Sequence, residues 1–202
     1  LAQAVMDAGF SEQDAREGSE EGFNVWLAAR NKASDELLFD GARETLVQIR
    51  EEHPHLIVGA ITNGRGDVNL IPRLKGLFDF SVSGEEPKVF PARKPSLDIY
   101  REATRRAARL RDAGSEKAED VVAREAEGWL HVGDDLANDV APAKALGMRT
   151  VWVEQEDEGW RASFSTMSPE EDAARKALAQ SSSPDFTISS VTSLPEIISS
   201  LV

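Results

Sequence analysis

Residues 129–153 read WLHVGDDLANDVAPAKALGMRTVWV, and this stretch decides the fold. Its two ends, 129–132 and 150–153, are short apolar runs rich in β-branched and aromatic residues, as is typical of buried strands. Between them, residues 139–146 predict a helix that ends at Gly147. A strand, a helix and a second strand in this order predict two parallel strands joined by a crossover helix.

The same alternation of strands and helices continues along the chain. We predict further strands at 56–61, 78–82 and 186–188. Helices are predicted within 1–32, after Asp40-Gly41-Ala42, from Pro95 to about Asp112, after Ser168 and after Ser193. Residues 115–128 are predicted to be a polar surface insertion, and residues 154–167 a loop. The run 56–61 is apolar throughout, which indicates a strand buried on both faces. Capping boxes are predicted at Ser168–Glu171 and Ser193–Glu196. The predicted fold class is α/β, with a Rossmann-like parallel sheet and helices on both faces.

The helical region at 1–32 begins a second helix after Ser11, a plausible N-cap. This helix carries an apolar cluster made of Phe23, Val25, Trp26 and Leu27. We expect the cluster to pack against a neighbouring layer of the protein.

Composition excludes several classes of function. The formal net charge of −13 repels nucleic-acid phosphates, so we expect no nucleic-acid partner. The longest apolar run, 56–61, is too short for a bilayer, so we expect no membrane partner. The absence of cysteine excludes a disulfide framework, a thiolate metal site and a cysteine nucleophile within this sequence. It is compatible with the cytoplasm or with an organelle lumen such as the plastid stroma.

In parallel sheets, ligands bind beyond the carboxyl ends of the strands. Two groups of polar residues lie at such positions, one directly after a predicted strand and one directly before a predicted helix. The triplet Thr62-Asn63-Gly64 offers a hydroxyl, an amide and exposed backbone N–H groups to an anionic oxygen. Lys94 precedes the proline that opens a helix, and its ammonium would neutralise phosphate charge. Taken alone, an ordinary turn explains the triplet better, and a solvated basic pair with Arg93 explains Lys94 better.

The third group is stronger, because Asp134, Asp135 and Asp139 place three carboxylates within six residues after a buried strand. Two like charges about 4 Å apart repel by about 4 kcal/mol at an effective dielectric of about 20, which favours a bound cation. Oxygen ligands indicate Mg²⁺. Helix capping is the alternative, and it explains Asn138 and Asp139 better than the pair Asp134-Asp135.

In this order, the three groups resemble the motifs of the haloacid dehalogenase (HAD) superfamily. The second, third and fourth motifs are similar to AITNG (60–64), FDFSVSGEE with RKPSLDIY (78–86 and 93–100) and HVGDDLANDVAPAKALGMRTVWV (131–153). Within the superfamily, the sequences of these motifs are most similar to the branch that contains flavin mononucleotide phosphatases and riboflavin-pathway phosphatases.

The resemblance implies a Mg²⁺-dependent phosphatase with a phosphoaspartate mechanism, acting on a small phosphorylated metabolite. It implies phosphate binding by Thr62, Asn63, Gly64 and Lys94, catalytic roles for Lys94 and Asp139, and metal binding by Asp134 and Asp135. Asp139 would orient Lys94 or a metal-bound water, and Asp135 would add a ligand or support one. It also implies that residues 1–33 are the C-terminal part of a helical cap and that 34–202 are the α/β core.

The first motif of the superfamily, Asp-x-Asp after an apolar strand, is absent from residues 1–202. Its nearest imitation contains Asp40, which we interpret as a turn or helix-cap residue. A sheet without its central strand would leave buried backbone groups unpaired, at roughly 1–3 kcal/mol each. We therefore expect an upstream segment, or a partner chain, to complete the sheet and supply both aspartates, and we expect this chain alone to be inactive.

Two other functions fit the same residues. A non-catalytic HAD-like protein that lost its nucleophile would use the fold for binding or assembly. A dehalogenase acting on haloacids ranks lower, because the fourth motif of such enzymes usually lacks the Gly133-Asp134-Asp135 sequence found here.

Overall fold

The computed structural model describes residues 2–64, 66–111, 126, 128–154 and 168–202. The α-helices are α1 (Ala2–Asp7), α2 (Glu12–Glu36), α3 (Ala42–Glu52), α4 (Leu97–Arg111), α5 (Ala141–Ala145), α6 (Pro169–Gln180) and α7 (Leu194–Ser199). The strands are β1 (Gly59–Thr62), β2 (Phe80–Ser83), β3 (Leu130–Gly133), β4 (Arg149–Val153) and β5 (Phe186–Ile188). A π-helical turn, Leu136–Val140, precedes α5, and short 3₁₀ turns occupy Val68–Leu70, Pro72–Leu74 and Val191–Ser193.

All the strand pairs are parallel, which confirms the predicted α/β class. Strand β1 pairs with β2, and β4 lies between β3 and β5. Within the described ranges, no strand joins β1 to β3, so the predicted single sheet is present as two sheets. Each of β1 and β3 therefore has one edge without a strand partner among these residues.

Helices connect the two sheets on both sides. Helix α4 packs on β1 and β2, and its buried Ile99 and Tyr100 share a core cluster with Val82 of β2 and Ala143 of α5. On the other side, Ile49 of α3 shares a second cluster with residues of β3, β4 and α7. The apolar faces of these helices thus hold the sheets in one α/β body.

An ion pair fixes α3 to the beginning of the first sheet. The guanidinium of Arg50 donates to both carboxylate oxygens of Asp79, at 2.7 and 2.8 Å. The same carboxylate accepts a 2.7 Å hydrogen bond from the backbone N–H of Val58, just before β1. Burial raises the pKa of Asp79, but the Arg50 and Val58 hydrogen bonds outweigh it and lower that pKa. The ionised carboxylate therefore links α3, β1 and β2.

Most predicted elements are present, with boundaries displaced by no more than four residues. Ser11 caps α2, and Ser168 with Glu171 forms the predicted capping box. Helix α2 continues to Glu36, three residues past the domain boundary proposed at 33. The predicted segments at 115–128 and 154–167 fall almost wholly outside the described residues, as does the predicted helix end at Asp112.

Three predictions were wrong. Strand β1 contains no buried residue, and its edge opposite β2 has no partner strand among the described residues. The second capping box is not formed: Ser193 has helical backbone angles, since a 3₁₀ turn capped by Ser190 precedes α7. Val25 and Trp26 do not pack into a layer but are 65% and 55% exposed.

Among the helices in the described part of the chain, none has the length and apolarity needed to cross a bilayer.

Candidate active site

The centre of the candidate site is an ion pair between Lys94 and Asp139. The Nζ atom of Lys94 donates to Oδ1 of Asp139 at 2.7 Å, and both side chains are largely buried. A short ion pair removed from water is held more firmly than an exposed one, because less screening and fewer competing waters act on it. Lys94 and Asp139, predicted as catalytic partners, are thus in direct contact.

Asn63 fixes the backbone of Lys94 at the end of β1. Its side-chain oxygen accepts from the Lys94 N–H at 2.6 Å, and its Nδ2 donates to the Lys94 carbonyl at 3.1 Å. One N–H of the amide is therefore used to hold the lysine segment. The role predicted for Asn63 was phosphate binding; the structure shows it positioning Lys94, with its second N–H outside these two bonds.

Thr62 and Gly64 lie in the turn that leaves β1. The Thr62 hydroxyl oxygen accepts from the Gly64 N–H at 3.3 Å, and the Gly64 carbonyl accepts from the Ser83 hydroxyl at 2.8 Å. These bonds tie the turn to the end of β2. The Thr62 hydroxyl retains its proton for donation to an anionic ligand.

Asp139 is positioned by the end of β3. Its Oδ2 accepts from the Asp135 N–H at 3.1 Å, and a Cβ added at Gly133 would lie 2.3 Å from Cβ of Asp139. Only glycine leaves room for Asp139 at this point. Asp139 belongs to the π-helical turn, a distortion that is common at functional sites.

Electrostatics keep Asp139 ionised. Burial raises its pKa, but the imidazole of His131 and the ammonium of Lys94 outweigh burial and lower the pKa to about 2. The Nε2 atom of His131 lies 3.5 Å from Oδ1 of Asp139 and has no hydrogen-bond partner among the described residues. The 2.7 Å contact with Lys94 is therefore the better-formed of the two.

His131 is packed in the core: it is 8% exposed, and its ring meets the Tyr100 ring edge-on at 5.1 Å. Its approach to Asp139 was not predicted. Tyr100 also donates from its hydroxyl to the carbonyl of Asn138. Burial, with the charges of Asp139 and Asp135, raises the pKa of Tyr100, so its hydroxyl stays protonated. Helix α4 thus contacts the π-helical turn through the Tyr100 hydroxyl.

Asp135 is the N-cap of that turn. Its Oδ1 accepts from the N–H groups of Ala137 and Asn138 at 2.9 and 3.0 Å, and its Oδ2 accepts from the Asn138 amide at 3.0 Å. Arg175 of α6 donates to Oδ2 at 2.6 Å. With four bonds on two oxygens, Asp135 has the capping role that the sequence left open as the alternative. Its predicted metal role would require replacing these bonds.

Asp134 follows β3 directly, and its carbonyl accepts from Nε1 of Trp152 at 3.1 Å. In the ranges that the structure covers, no group of three or more acidic or histidine side chains is placed to hold a metal ion. Mg²⁺ prefers oxygen ligands and keeps several waters, so one or two carboxylates beside a phosphate are enough. Beside a phosphate and waters, Asp134 would be one such ligand.

These contacts form one continuous path at the carboxyl ends of the strands. It runs from Asn63 after β1, through Lys94 and Asp139, to Asp135 after β3. The site therefore spans the space between the two sheets. Three of its supports carried no sequence signal that we recognised: His131, Tyr100 and Arg175.

Comparison with known families agrees with this geometry. The model of the HAD-hydrolase-like family matches residues 91–194, which include Lys94 and the segment from β3 to the first residue of α7.

Among curated proteins, the chain is 29% identical over 157 residues to 5-amino-6-(5-phospho-D-ribitylamino)uracil phosphatase YigB of Escherichia coli (strain K12). The match covers 78% of this chain and 56% of that protein. The chain thus spans little more than half the length of this relative.

Two solved structures have similar folds. A 2-haloacid dehalogenase from Pseudomonas syringae pv. Tomato DC3000 has a TM-score of 0.68 at 25% identity, covering 100% of this chain and 69% of that one. A HAD phosphatase from Thermococcus onnurineus has a TM-score of 0.50 at 20% identity, covering 96% of this chain and 83% of that one. The second likeness bears on the fold alone.

Proposed function

Because the chain belongs to the HAD-like hydrolase family, we propose that its site hydrolyses a small phosphate monoester through a phosphoaspartate intermediate. The observation that carries the proposal is the Lys94–Asp139 pair at 2.7 Å, bound through Asn63 to the end of β1. Phosphoryl transfer requires positioned groups and charge neutralisation more than covalent chemistry from the protein. Lys94 meets the requirement for a positioned charge, because its backbone is bound by Asn63 and its ammonium by Asp139.

Each residue of the site then has a part. The Thr62 hydroxyl donates to the phosphoryl oxygens, and the Gly64 N–H would do so by releasing its 3.3 Å bond to that hydroxyl. Lys94 neutralises the charge shared by the phosphoryl group and an attacking carboxylate. Asp139 keeps the lysine ammonium in place and, with its low pKa, stays ionised at neutral pH.

We place the nucleophile on a further parallel strand between β1 and β3. Both strands have an unpaired edge within the described residues, and α4 packs on the first sheet while Tyr100 reaches the turn after β3. A strand inserted there would end beside Lys94 and Asp139. It would come from the same polypeptide or from a partner chain, and it would carry the aspartate that attacks phosphorus and a second aspartate as general acid and base.

The proposed cofactor is Mg²⁺. Asp134 would hold it together with a carboxylate of the inserted strand and the substrate phosphate. When bound, the ion would neutralise charge on the phosphoryl oxygens. Asp135 would not bind the ion directly. As the N-cap of the π-helical turn, it would fix the backbone next to Asp134.

For the substrate, we propose flavin mononucleotide or a phosphorylated riboflavin precursor. The support is the likeness to the E. coli protein, whose name gives 5-amino-6-(5-phospho-D-ribitylamino)uracil as its substrate. The sequence resemblance to flavin-related phosphatases points to the same group of compounds.

The likeness to a haloacid dehalogenase favours a second function, hydrolysis of a 2-haloacid by the same carboxylate attack. A lysine could neutralise a departing halide as it neutralises phosphate. The two functions differ in the atom attacked, and therefore in the anion released.

The test measures released phosphate and released halide side by side. The complete gene product is incubated with flavin mononucleotide, with the ribitylaminouracil phosphate and with 2-chloropropionate, each with and without Mg²⁺. Our proposal expects Mg²⁺-dependent phosphate release. Halide release alone would favour the dehalogenase, and a folded protein that releases neither anion would favour a binding or assembly role.

A further inference from the structure

The guanidinium of Arg30 lies over the turn that follows β1. A Cβ atom added at Gly66 would be 3.2 Å from Nη1 of Arg30, and one added at Gly64 would be 4.0 Å from Nη2. A side chain at position 66 would crowd the guanidinium, whereas one at position 64 would only come into ordinary contact with it. Arg30 therefore reaches the same turn that we propose binds the phosphoryl group.

Helix α2 is held in this position by a contact one and a half turns further along. The Asp35 carboxylate accepts from the backbone N–H of Arg73 at 2.8 Å, and the Asp35 carbonyl accepts from the Arg73 guanidinium at 3.1 Å. Arg73 belongs to the 3₁₀ turn that precedes β2. Arg30 is thus carried on a helix that is anchored to the α/β core.

The charge of Arg30 is not neutralised by a carboxylate of the described residues. Arg50, Arg106 and Arg175 each lie within 3 Å of an acidic oxygen, whereas no such pair involves Arg30 in the part of the chain that the structure covers. A guanidinium left without a carboxylate offers its donors to acceptor oxygens of a ligand.

An aromatic ring lies beside this cation. Cζ of Arg30 is 6.0 Å from the ring centroid of Trp26, four residues earlier and on the same face of α2. The indole is 55% exposed, although its cluster was predicted to be packed. The Trp26 ring is tilted by 37° against the Phe23 ring, with a centroid distance of 5.6 Å. The guanidinium of Arg30 lies over the indole, and the exposed part of the indole is a surface on which a planar ring stacks.

We propose that Trp26 and Arg30 bind the leaving group of the substrate, which is a compound with a planar, carbonyl-bearing ring. Trp26 stacks on the ring, and Arg30 donates hydrogen bonds to its carbonyl oxygens. This inference rests on the proposed function, since the ring is recognised next to the turn that binds the phosphoryl group. Trp26 and Arg30 are then specificity-determining residues, without a part in the bond that breaks.

The kinetic test compares a ring-bearing ester, flavin mononucleotide, with a ringless ester, glycerol phosphate. We expect Trp26→Ala and Arg30→Ala each to lower kcat/KM for flavin mononucleotide by about tenfold, mainly through KM, and to change kcat/KM for glycerol phosphate by less than about twofold. Trp26→Phe and Arg30→Lys should recover part of the loss. Arg16→Ala, on the same helix but away from the turn, is the matched control.

A binding test separates this inference from the phosphatase itself. Riboflavin has the ring but no phosphate, and its dissociation constant is measured by quenching of its fluorescence. We expect about tenfold weaker binding to the Trp26→Ala and Arg30→Ala proteins and no change for Arg16→Ala. Absence of any phosphate release would overturn the phosphatase alone. Riboflavin binding that is absent, or unaffected by both substitutions, would overturn the role of Trp26 and Arg30.

Discussion

Lys94 and Asp139 lie 45 positions apart in the chain, and Nζ of the one is 2.7 Å from Oδ1 of the other. Lys94 is bound through its backbone to Asn63 after β1, and Asp139 is bound through its carboxylate to the backbone of Asp135 after β3. The ion pair therefore connects the carboxyl ends of two sheets that share no hydrogen-bonded strand pair in the described chain.

Removing this cation should remove the activity. We expect Lys94→Met to lower kcat for phosphate release by about 100-fold or more, because it deletes a positioned charge from a site shielded from water. Lys144→Met is the matched control, since Lys144 forms an ion pair with Asp185 but is 39% exposed and lies outside the site. Phosphate release is measured at saturating substrate and Mg²⁺. A similar loss in both variants would show that the effect is not specific to the site.

The pair should also be visible in the pH dependence of stability. Asp139 has a folded pKa of about 2 against an ordinary value of 3.8, so its ionised form stabilises the fold above about pH 3.8. That contribution, about 2 kcal/mol, is lost as the pH falls from 3.8 toward 2. Denaturant unfolding between pH 5 and pH 2 should show a shallower decline for Asp139→Asn than for the unsubstituted protein. Parallel curves would contradict the shift.

Substitutions of the neighbouring Asp134 and Asp135 should have different effects, because we propose that Asp134 is a metal ligand and Asp135 is a helix cap. Asp134→Ala should raise the Mg²⁺ concentration required for half-maximal activity by about tenfold or more. Asp135→Ala should lower the unfolding free energy by about 1–2 kcal/mol without metal, because it removes the cap of the π-helical turn and the partner of Arg175.

Unfolding in EDTA and Mg²⁺ titration of activity together check this separation. Chelation alone should abolish turnover and leave the far-ultraviolet circular dichroism unchanged. If Asp134→Ala destabilised the metal-free protein as much as Asp135→Ala does, the two roles would have to be exchanged.

The link between α3 and the first sheet should be worth more than a surface ion pair. Asp79→Ala leaves the Val58 N–H and the Arg50 guanidinium without their acceptor, so we expect the unfolding free energy to fall by about 1–3 kcal/mol. Asp98→Ala removes an ion pair whose acidic member is 69% exposed and should cost less than about 0.5 kcal/mol. Equal losses in urea unfolding would show that the bonds of Asp79 contribute no more than an exposed ion pair does.

Local sequence signals predicted the elements well where the residues concerned determine their own structure. Ser168 and Glu171 form their capping box from a four-residue pattern, and the strand at 186–188 follows from three residues between turns. The pattern at Ser193 failed because the residues before it form a 3₁₀ turn, which takes Ser193 out of the extended conformation that a cap requires. A short pattern gives no information about that competition.

The sequence by itself determined the α/β class and the residues at the strand ends, because period, caps and polar strand termini are local properties. Lys94 and Asp139 were identified through the resemblance to the HAD superfamily, because a solvated basic pair with Arg93 explains Lys94 better when it is taken alone. Tertiary structure alone decided that Asn63 holds Lys94, that Asp135 is occupied by Arg175, and that Arg30 and Trp26 stand beside the turn after β1. These are contacts between residues distant in the chain, and they depend on how α2, α4 and α6 pack against the sheets, which no local pattern encodes.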